Sequence, residues 1–394
     1  MVSLTKLDII LVIFVFLVTF FVSTIFGIIL FFFLLLVKKR FTAPFFFYVI
    51  FVISLISFTQ YSRWSTTNYD MVGYYTVYDF FSHANFSEVL FFIFKKGDIF
   101  FYFLVFLISK IFPNDPRMLG FIMPFLTASL AFLTIINFKK FLETKYSFYR
   151  VHVFLWCFAF FFIISFPNFT NAYRQFLSIA LFIYAVSLRL VGKKKLYLLM
   201  LVFSALSHWS SIIIIALYYV FLKFQKEDFK VLVFMLIMGV FSSYVLMIIP
   251  LPEQAKFYLF GNEILGIDKT QIILGTLLQI ILFWYYLDLK NKINSAYVTA
   301  FLLLGYNFFF IVNSTLLTRH SFLVTYFITV SLISYINIGQ FKRVLFIPLI
   351  LITVFFNIKQ LNNGEFEYMF FSKKMYFESA MNVFSTPFPY EIIR

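Results

Sequence analysis

Uninterrupted apolar blocks dominate this chain, and several run for about 15–30 residues without a charge. A segment of that kind has few places to go. In a bilayer core every backbone N–H and C=O must be paired within the protein, so only helices and closed barrels cross it. Barrel strands would alternate polar and apolar residues over runs of about ten. The solid blocks here instead fit membrane-spanning helices. Composition agrees. Only 12% of the 394 residues are charged, against about 25% in a soluble domain, and 62% are hydrophobic. The expected fold class is therefore all-α: a polytopic transmembrane helical bundle.

Phenylalanine supplies 65 residues. This reads as compositional bias, with Phe standing in for Leu as a generic lipid-facing residue. The single cysteine, Cys157, lies in an apolar run. A lone cysteine excludes an internal disulfide and disfavours a metal–sulfur site. The first 37 residues are too long and too weakly basic at the front for an ordinary cleaved signal, and read as a retained first helix. No internal repeat is visible.

A net charge of +15 raises the question of nucleic acid, but its distribution argues against that partner. The basic residues sit in short clusters between apolar runs, as the positive-inside rule expects. Candidate spans are 8–37, 42–60, 117–137, 151–166, 174–191, 231–249, 272–287, 295–313, 321–338 and 344–358. Two stretches are irregular. Residues 99–112 are about half a membrane thick, and 196–222 are broken by Ser207-His208-Trp209-Ser210-Ser211. If the latter form a hairpin of short helices, the count is about 10–12 spans and the clusters alternate consistently. One side collects Lys38–Arg40, Lys139 to Arg150, Arg189 with Lys193–Lys195, Lys223 to Lys230, Lys290/Lys292 and Lys342/Arg343, over half of the 32 Lys and Arg. That side is expected to be the cytoplasm. Residues 99–112 then enter from the opposite side as a re-entrant or interfacial segment, and both irregular stretches point to a cavity opening outward. Residues 1–358 form one integral membrane domain with outside loops 61–98 and 250–271, followed by an extracytoplasmic tail, 359–394. Within the first loop, Ser87–Lys96 reads as either an amphipathic interfacial helix or a packed loop.

Some polar residues on the outer side are not needed for orientation. Arg63 and Asp70 fall in Tyr61–Asp70, followed by Tyr74, Tyr75 and Tyr78. Arg174 and Gln175 open a span after Asn168-Phe-Thr-Asn-Ala-Tyr. His208 interrupts an apolar run, and Arg319 with His320 sits at the mouth of another span. Each arginine read alone is a snorkelling anchor at a headgroup. Three of them entering helices from one side suggest more. A guanidinium fork suits phosphate oxygens, and the N–H groups at a helix N-terminus favour anions. A lipid-borne diphosphate is the natural ligand. Asp70 is either a salt-bridge partner of Arg63 or a carboxylate base. His208 is either a core histidine or a base, and His320 shares its helix mouth with Arg319. His83 and His152 read as loop and interface residues. There is no P-loop, dinucleotide turn or His-Glu-x-x-His motif. The chain also lacks an Asp-x-Asp or Asp-Asp pair, which disfavours a metal-chelating nucleotide-sugar transferase.

The order Arg63, Asp70, Tyr74/Tyr75, a short apolar helix, Tyr173-Arg174-Gln175, Lys193–Lys195 and Ser207-His208-Trp209-Ser210, with Arg319 later, resembles the EpsG-like, Wzy-type polysaccharide polymerases over about residues 8–340. The resemblance implies a bacterial plasma-membrane glycosyltransferase with its site facing the periplasm or exterior. Its substrate would be an oligosaccharide repeat unit, of O-antigen or capsule type, on undecaprenyl diphosphate. The growing chain moves onto the next lipid-linked unit, and undecaprenyl diphosphate leaves. A chain-length regulator and a flippase are possible partners; no cofactor or metal is called for. Arg174 and Arg319 are then expected at the diphosphate, with Asp70 or His208 as base. Arg63, Tyr74, Tyr75, Gln175, Trp209 and His320 are expected to contact substrate. The alternatives are another lipid-linked glycosyltransferase or ligase, a flippase of lipid-linked oligosaccharides, and a membrane acyltransferase. A flippase would more readily show paired repeats and midplane charges.

Overall fold

A computed structural model of the protein describes residues 6–37, 43–58, 60–61, 70–145, 172–209, 211–223, 230–234, 237, 367–368 and 379–385. These residues are mostly helical, with one two-residue antiparallel pairing, β1 (Gln60–Tyr61) against β2 (Glu367–Tyr368). Two compact units are present: residues 1–209 with 343–394, and residues 210–342.

One helix was expected over 8–37, but α1 (Lys6–Leu17) runs into a π-helical turn at Val18–Val22, and α2 (Thr24–Val37) starts again after an extended Ser23. A straight helix of thirty residues would measure about 45 Å, well beyond a hydrocarbon core of about 30 Å. Here the chain doubles back: the rings of Phe16 and Phe31 both meet Tyr48 of α3 (Ala43–Phe58), at 5.1 and 4.6 Å. Gly27 makes that approach possible, because a Cβ there would collide with Thr19 and lie 2.9 Å from the Tyr48 hydroxyl. Thr19 Oγ1 and the Tyr48 hydroxyl share a 2.7 Å hydrogen bond.

The outer loop expected at 61–98 contains two helices, α4 (Asp70–His83) and α5 (Phe86–Lys96). α5 is the helix considered for Ser87–Lys96. Asn85 and Glu88 form a capping box at its start, and Gly97 ends it at φ 80°, the left-handed region glycine favours. α6 (Ile99–Ile111) has 13 residues, about 20 Å of helix and too short to span. The Tyr78 hydroxyl donates to the Phe112 carbonyl at 2.7 Å and closes its far end. α7 (Arg117–Lys145) starts after Asp115-Pro116, an N-cap followed by a first-turn proline. Asp115 also pairs with Arg117 at 2.7 Å. Among the described residues one helix is long and apolar enough to cross a membrane, Arg117–Asn137 within α7.

α8 (Tyr173–Leu190) is almost wholly enclosed by protein. It turns through Gly192, φ 79°, into α9 (Lys194–Ser207), with Lys193 N–H donating to Leu188 O as in a Schellman cap. Ser178 and Ser204 each donate to the other's backbone carbonyl, at 3.1 and 2.8 Å, and draw the two helices together. Small hydroxyl residues allow such close approach between helices. The core joins Tyr74, Tyr78 and Phe81 of α4 to Val89 and Ile93 of α5, Phe101 and Val105 of α6, Met123 of α7 and Leu177 of α8. α11 (Ala380–Ser385), from the segment expected as a tail, packs on the same unit: Phe384 meets Phe58 at 4.9 Å and Phe121 at 5.5 Å.

In the second unit the described helix is α10 (Ser211–Lys223). The helix break expected around Ser207–Ser211 is therefore present. The spans expected at 151–166, 272–287, 295–313, 321–338 and 344–358, and most of 231–249, lie outside the described residues. So do Arg63, Arg319, His320, His152 and Cys157.

Candidate active site

Gly97 stops α5, and the next residue, Asp98, begins a new apolar helix. A carboxylate there would ordinarily cap its own helix. Asp98 makes no such cap bond. Its side chain turns inward, only 1% of the residue is exposed, and both oxygens are taken by other segments. Oδ2 accepts from Arg174 Nη1 at 2.8 Å. Oδ1 lies 3.4 Å from His208 Nδ1 and accepts the Trp209 backbone N–H at 3.2 Å.

The fold brings these residues together from distant points of the chain. Arg174 is the second residue of α8, and His208 follows the last residue of α9. Because α8 and α9 form an antiparallel pair about Gly192, the start of one meets the end of the other. The basic turn with Arg189 and Lys193–Lys195 lies at the opposite end of an 18-residue helix, about 27 Å away. α6 delivers Asp98 to the same end.

Aromatic rings hold the guanidinium. Arg174 Nε donates to the Tyr74 hydroxyl at 3.2 Å and Nη1 also reaches the Tyr102 hydroxyl at 3.4 Å. Its Cζ lies 5.6 and 5.9 Å from the Tyr74 and Tyr102 ring centroids, within cation–π range. Tyr74 in turn stacks on Tyr173 at 5.6 Å. Asp98 lies outside the spanning segments. Burial pushes its pKa upward, but the hydrogen bond and charge of His208, the charge of Arg174 and the Trp209 N–H together hold it below the ordinary carboxylate range. Asp98 is thus ionised and acceptor-only.

Two donor or acceptor positions face away from this carboxylate. Among the described residues Arg174 Nη2 has no hydrogen bond, and its side chain is 24% exposed. His208 Nε2 likewise has none, and its side chain is 20% exposed. The arrangement can present a cation and an imidazole edge to one ligand.

Of the residues expected from sequence, Arg174, His208 and Tyr74 converge here, and Trp209 joins through its backbone while its side chain stays exposed. Tyr75 and Gln175, the chain neighbours of Tyr74 and Arg174, are buried. Asp70 opens α4, and its side chain lies outside the described set. Among the described residues no three His, Cys, Asp or Glu side chains come together as a metal site would require. Sequence reasoning missed Asp98 and Tyr102. Gly97-Asp98 read as the polar end of a surface segment. The available signal was a lone acid ahead of an apolar helix, on the side where an outward arginine needs a counter-ion.

The model of the EpsG family matches residues 45–373. The chain belongs to the EpsG family. Neither a curated protein nor a solved structure matches it. EpsG proteins are Wzy-type polysaccharide polymerase-like. This EpsG protein is accordingly a membrane protein of polysaccharide biosynthesis, with a glycosyltransferase-like role and a lipid-linked oligosaccharide substrate. The matched range includes all three segments that meet at Asp98.

Proposed function

We propose that this EpsG protein polymerises oligosaccharide repeat units carried on undecaprenyl diphosphate, at the outer face of a bacterial plasma membrane and without a metal. The observation that carries the reading is one buried carboxylate with Arg174 on one oxygen and His208 on the other. Glycosyl transfer from a lipid diphosphate needs both functions at once. An acceptor hydroxyl of the incoming unit attacks the anomeric carbon of the donor chain. The bond from that carbon to the diphosphate oxygen breaks, and undecaprenyl diphosphate leaves with the electron pair. His208 Nε2 takes the hydroxyl proton. Arg174 neutralises the developing charge on the leaving group, a role for which Arg319 and Arg63 are the further candidates by sequence. Asp70 is the alternative base and His320 a further candidate contact by sequence; the exposed Trp209 side chain is the proposed sugar contact, Tyr74 acts by holding Arg174, and Tyr75 and Gln175 are buried.

Orientation follows from charge. The basic turn at Arg189–Lys195 lies at one end of the α8–α9 pair and the Asp98 cluster at the other, so the positive-inside rule supports a site facing outward. A polytopic bundle with an outward cavity gives lipid-linked substrates access from the outer leaflet. The test is glycan analysis of a strain lacking this chain. Single-repeat products that return to full length on complementation are expected. Complete loss of surface glycan would instead indicate a flippase or an earlier transferase.

A further inference from the structure

Asp98 has three properties that a structural counter-ion for Arg174 alone does not require. It occupies a helix N-cap position yet leaves its own helix uncapped. On one oxygen it meets two adjacent groups just past the end of α9, the His208 ring and the Trp209 N–H, while holding Arg174 on the other. It also fixes the backbone beside His208, because the Trp209 N–H donates to the oxygen that faces His208 Nδ1. We propose that Asp98 is a positioning residue that holds His208 as the Nδ1–H tautomer, so that Nε2 carries the lone pair, and that orients Arg174 through its second oxygen.

Donor and acceptor count decides the tautomer. An ionised carboxylate has no hydrogen to give, so every bond to it must come from a donor. The His208 contact therefore needs the hydrogen on Nδ1, and a neutral ring then has its acceptor on Nε2. Tautomer choice by the partner of the other ring nitrogen is general for histidine. The titratable groups facing this cluster among the described residues are Arg174 from α8, Tyr74 from α4, Tyr102 from α6 and His208 itself. Among the described residues Asp98 is the carboxylate that reaches the ring. The 3.4 Å separation is long for an N–H···O bond, and such contacts commonly tighten when substrate is bound.

An asparagine at this position could not serve both sides. One face of its amide accepts and the other donates, so either Arg174 or His208 would meet a donor. As a statement about catalysis this inference rests on the polymerase reading, whereas the tautomer stands apart from it. The experiment uses the full chain in lipid nanodiscs with 15N-labelled histidine. His208 is identified among the four histidines by loss of its signal in His208→Gln, and spectra are taken at a pH where the ring is neutral. The wild-type ring is expected to be protonated at Nδ1. Asp98→Asn should move it to Nε2–H or a mixture, and Asp98→Glu should restore the Nδ1–H signature in part. The lipid-linked oligosaccharide that accumulates in cells lacking the chain serves as substrate. With it, Asp98→Asn should lower the polymerisation rate by roughly a hundredfold, the scale of a general-base contribution, with partial recovery in Asp98→Glu. A wild-type ring protonated at Nε2 overturns the inference without any variant being folded, and an unchanged ring in Asp98→Asn overturns it as well. Normal polymer from His208→Gln, with the expected spectra intact, overturns the polymerase role of His208 and leaves the positioning geometry standing.

Discussion

Arg174 sits where a helix least favours a cation, in the first turn of α8, against the positive end of the dipole. Asp98, at the start of α6, is an acid in the complementary position. Their 2.8 Å pair offsets the misplaced charge, and removing either partner would leave the other buried and uncompensated, at about 3–5 kcal/mol. A local rule broken and compensated in this way marks a functional site more often than a structural one. Tyr74 supports the same guanidinium. Tyr74→Phe keeps the stack on Tyr173 but removes the acceptor of Arg174 Nε. The expected loss is about 2 kcal/mol, the worth of a hydrogen bond to a charged group, read as lower thermal stability in detergent and a shorter polymer ladder. Arg174 and His208 were legible in the sequence because each is a polar residue that the bilayer does not require. Asp98 was not, because a Gly-Asp pair after two lysines looks like an ordinary solvated helix end. Only the packing of α6 against α9, with Arg174 reaching over from the start of α8, turns that acid inward.

At the scale of elements, three helix ends make the site: the start of α6, the start of α8 and the end of α9. The break around His208 and the short helix at 99–112 were readable from interrupted apolar runs. The fold-back at Ser23 was not, since residues 9–37 carry no charge or proline to announce it. Its cause is tertiary, through Gly27, Thr19 and Tyr48. The role of the C-terminal segment was equally hidden, because its contacts are non-local. β2 pairs with β1, and α11 lays Phe384 between Phe58 and Phe121. These contacts anchor the chain just before the segment that leads to α4 and Tyr74. Phe384→Ala should destabilise the first unit by about 2 kcal/mol, toward the lower end for a large-to-small change because the ring is only partly buried. A lowered unfolding midpoint with unchanged membrane insertion is the expected result.

For the whole molecule, the proposed orientation rests on charge asymmetry. Trp209 lies just past the end of α9, beside the Asp98 cluster, and Lys194 lies at its start in the basic turn, so the proposed orientation puts Trp209 within reach of the exterior and Lys194 on the cytoplasmic side. In a Cys157→Ser background, Trp209→Cys should react with an impermeant thiol reagent added to intact cells, and Lys194→Cys should react only after permeabilisation. The reverse pattern would put the site in the cytoplasm. The most direct measurement of the central claim is polymer length in cells carrying Arg174→Ala or Arg174→Lys, at matched levels of inserted protein. A lysine keeps the charge but cannot bridge Asp98, Tyr74 and a phosphate at once. Both variants should therefore stop at single repeat units, with Lys recovering little. A ladder of wild-type length from either variant would contradict the role given to this guanidinium.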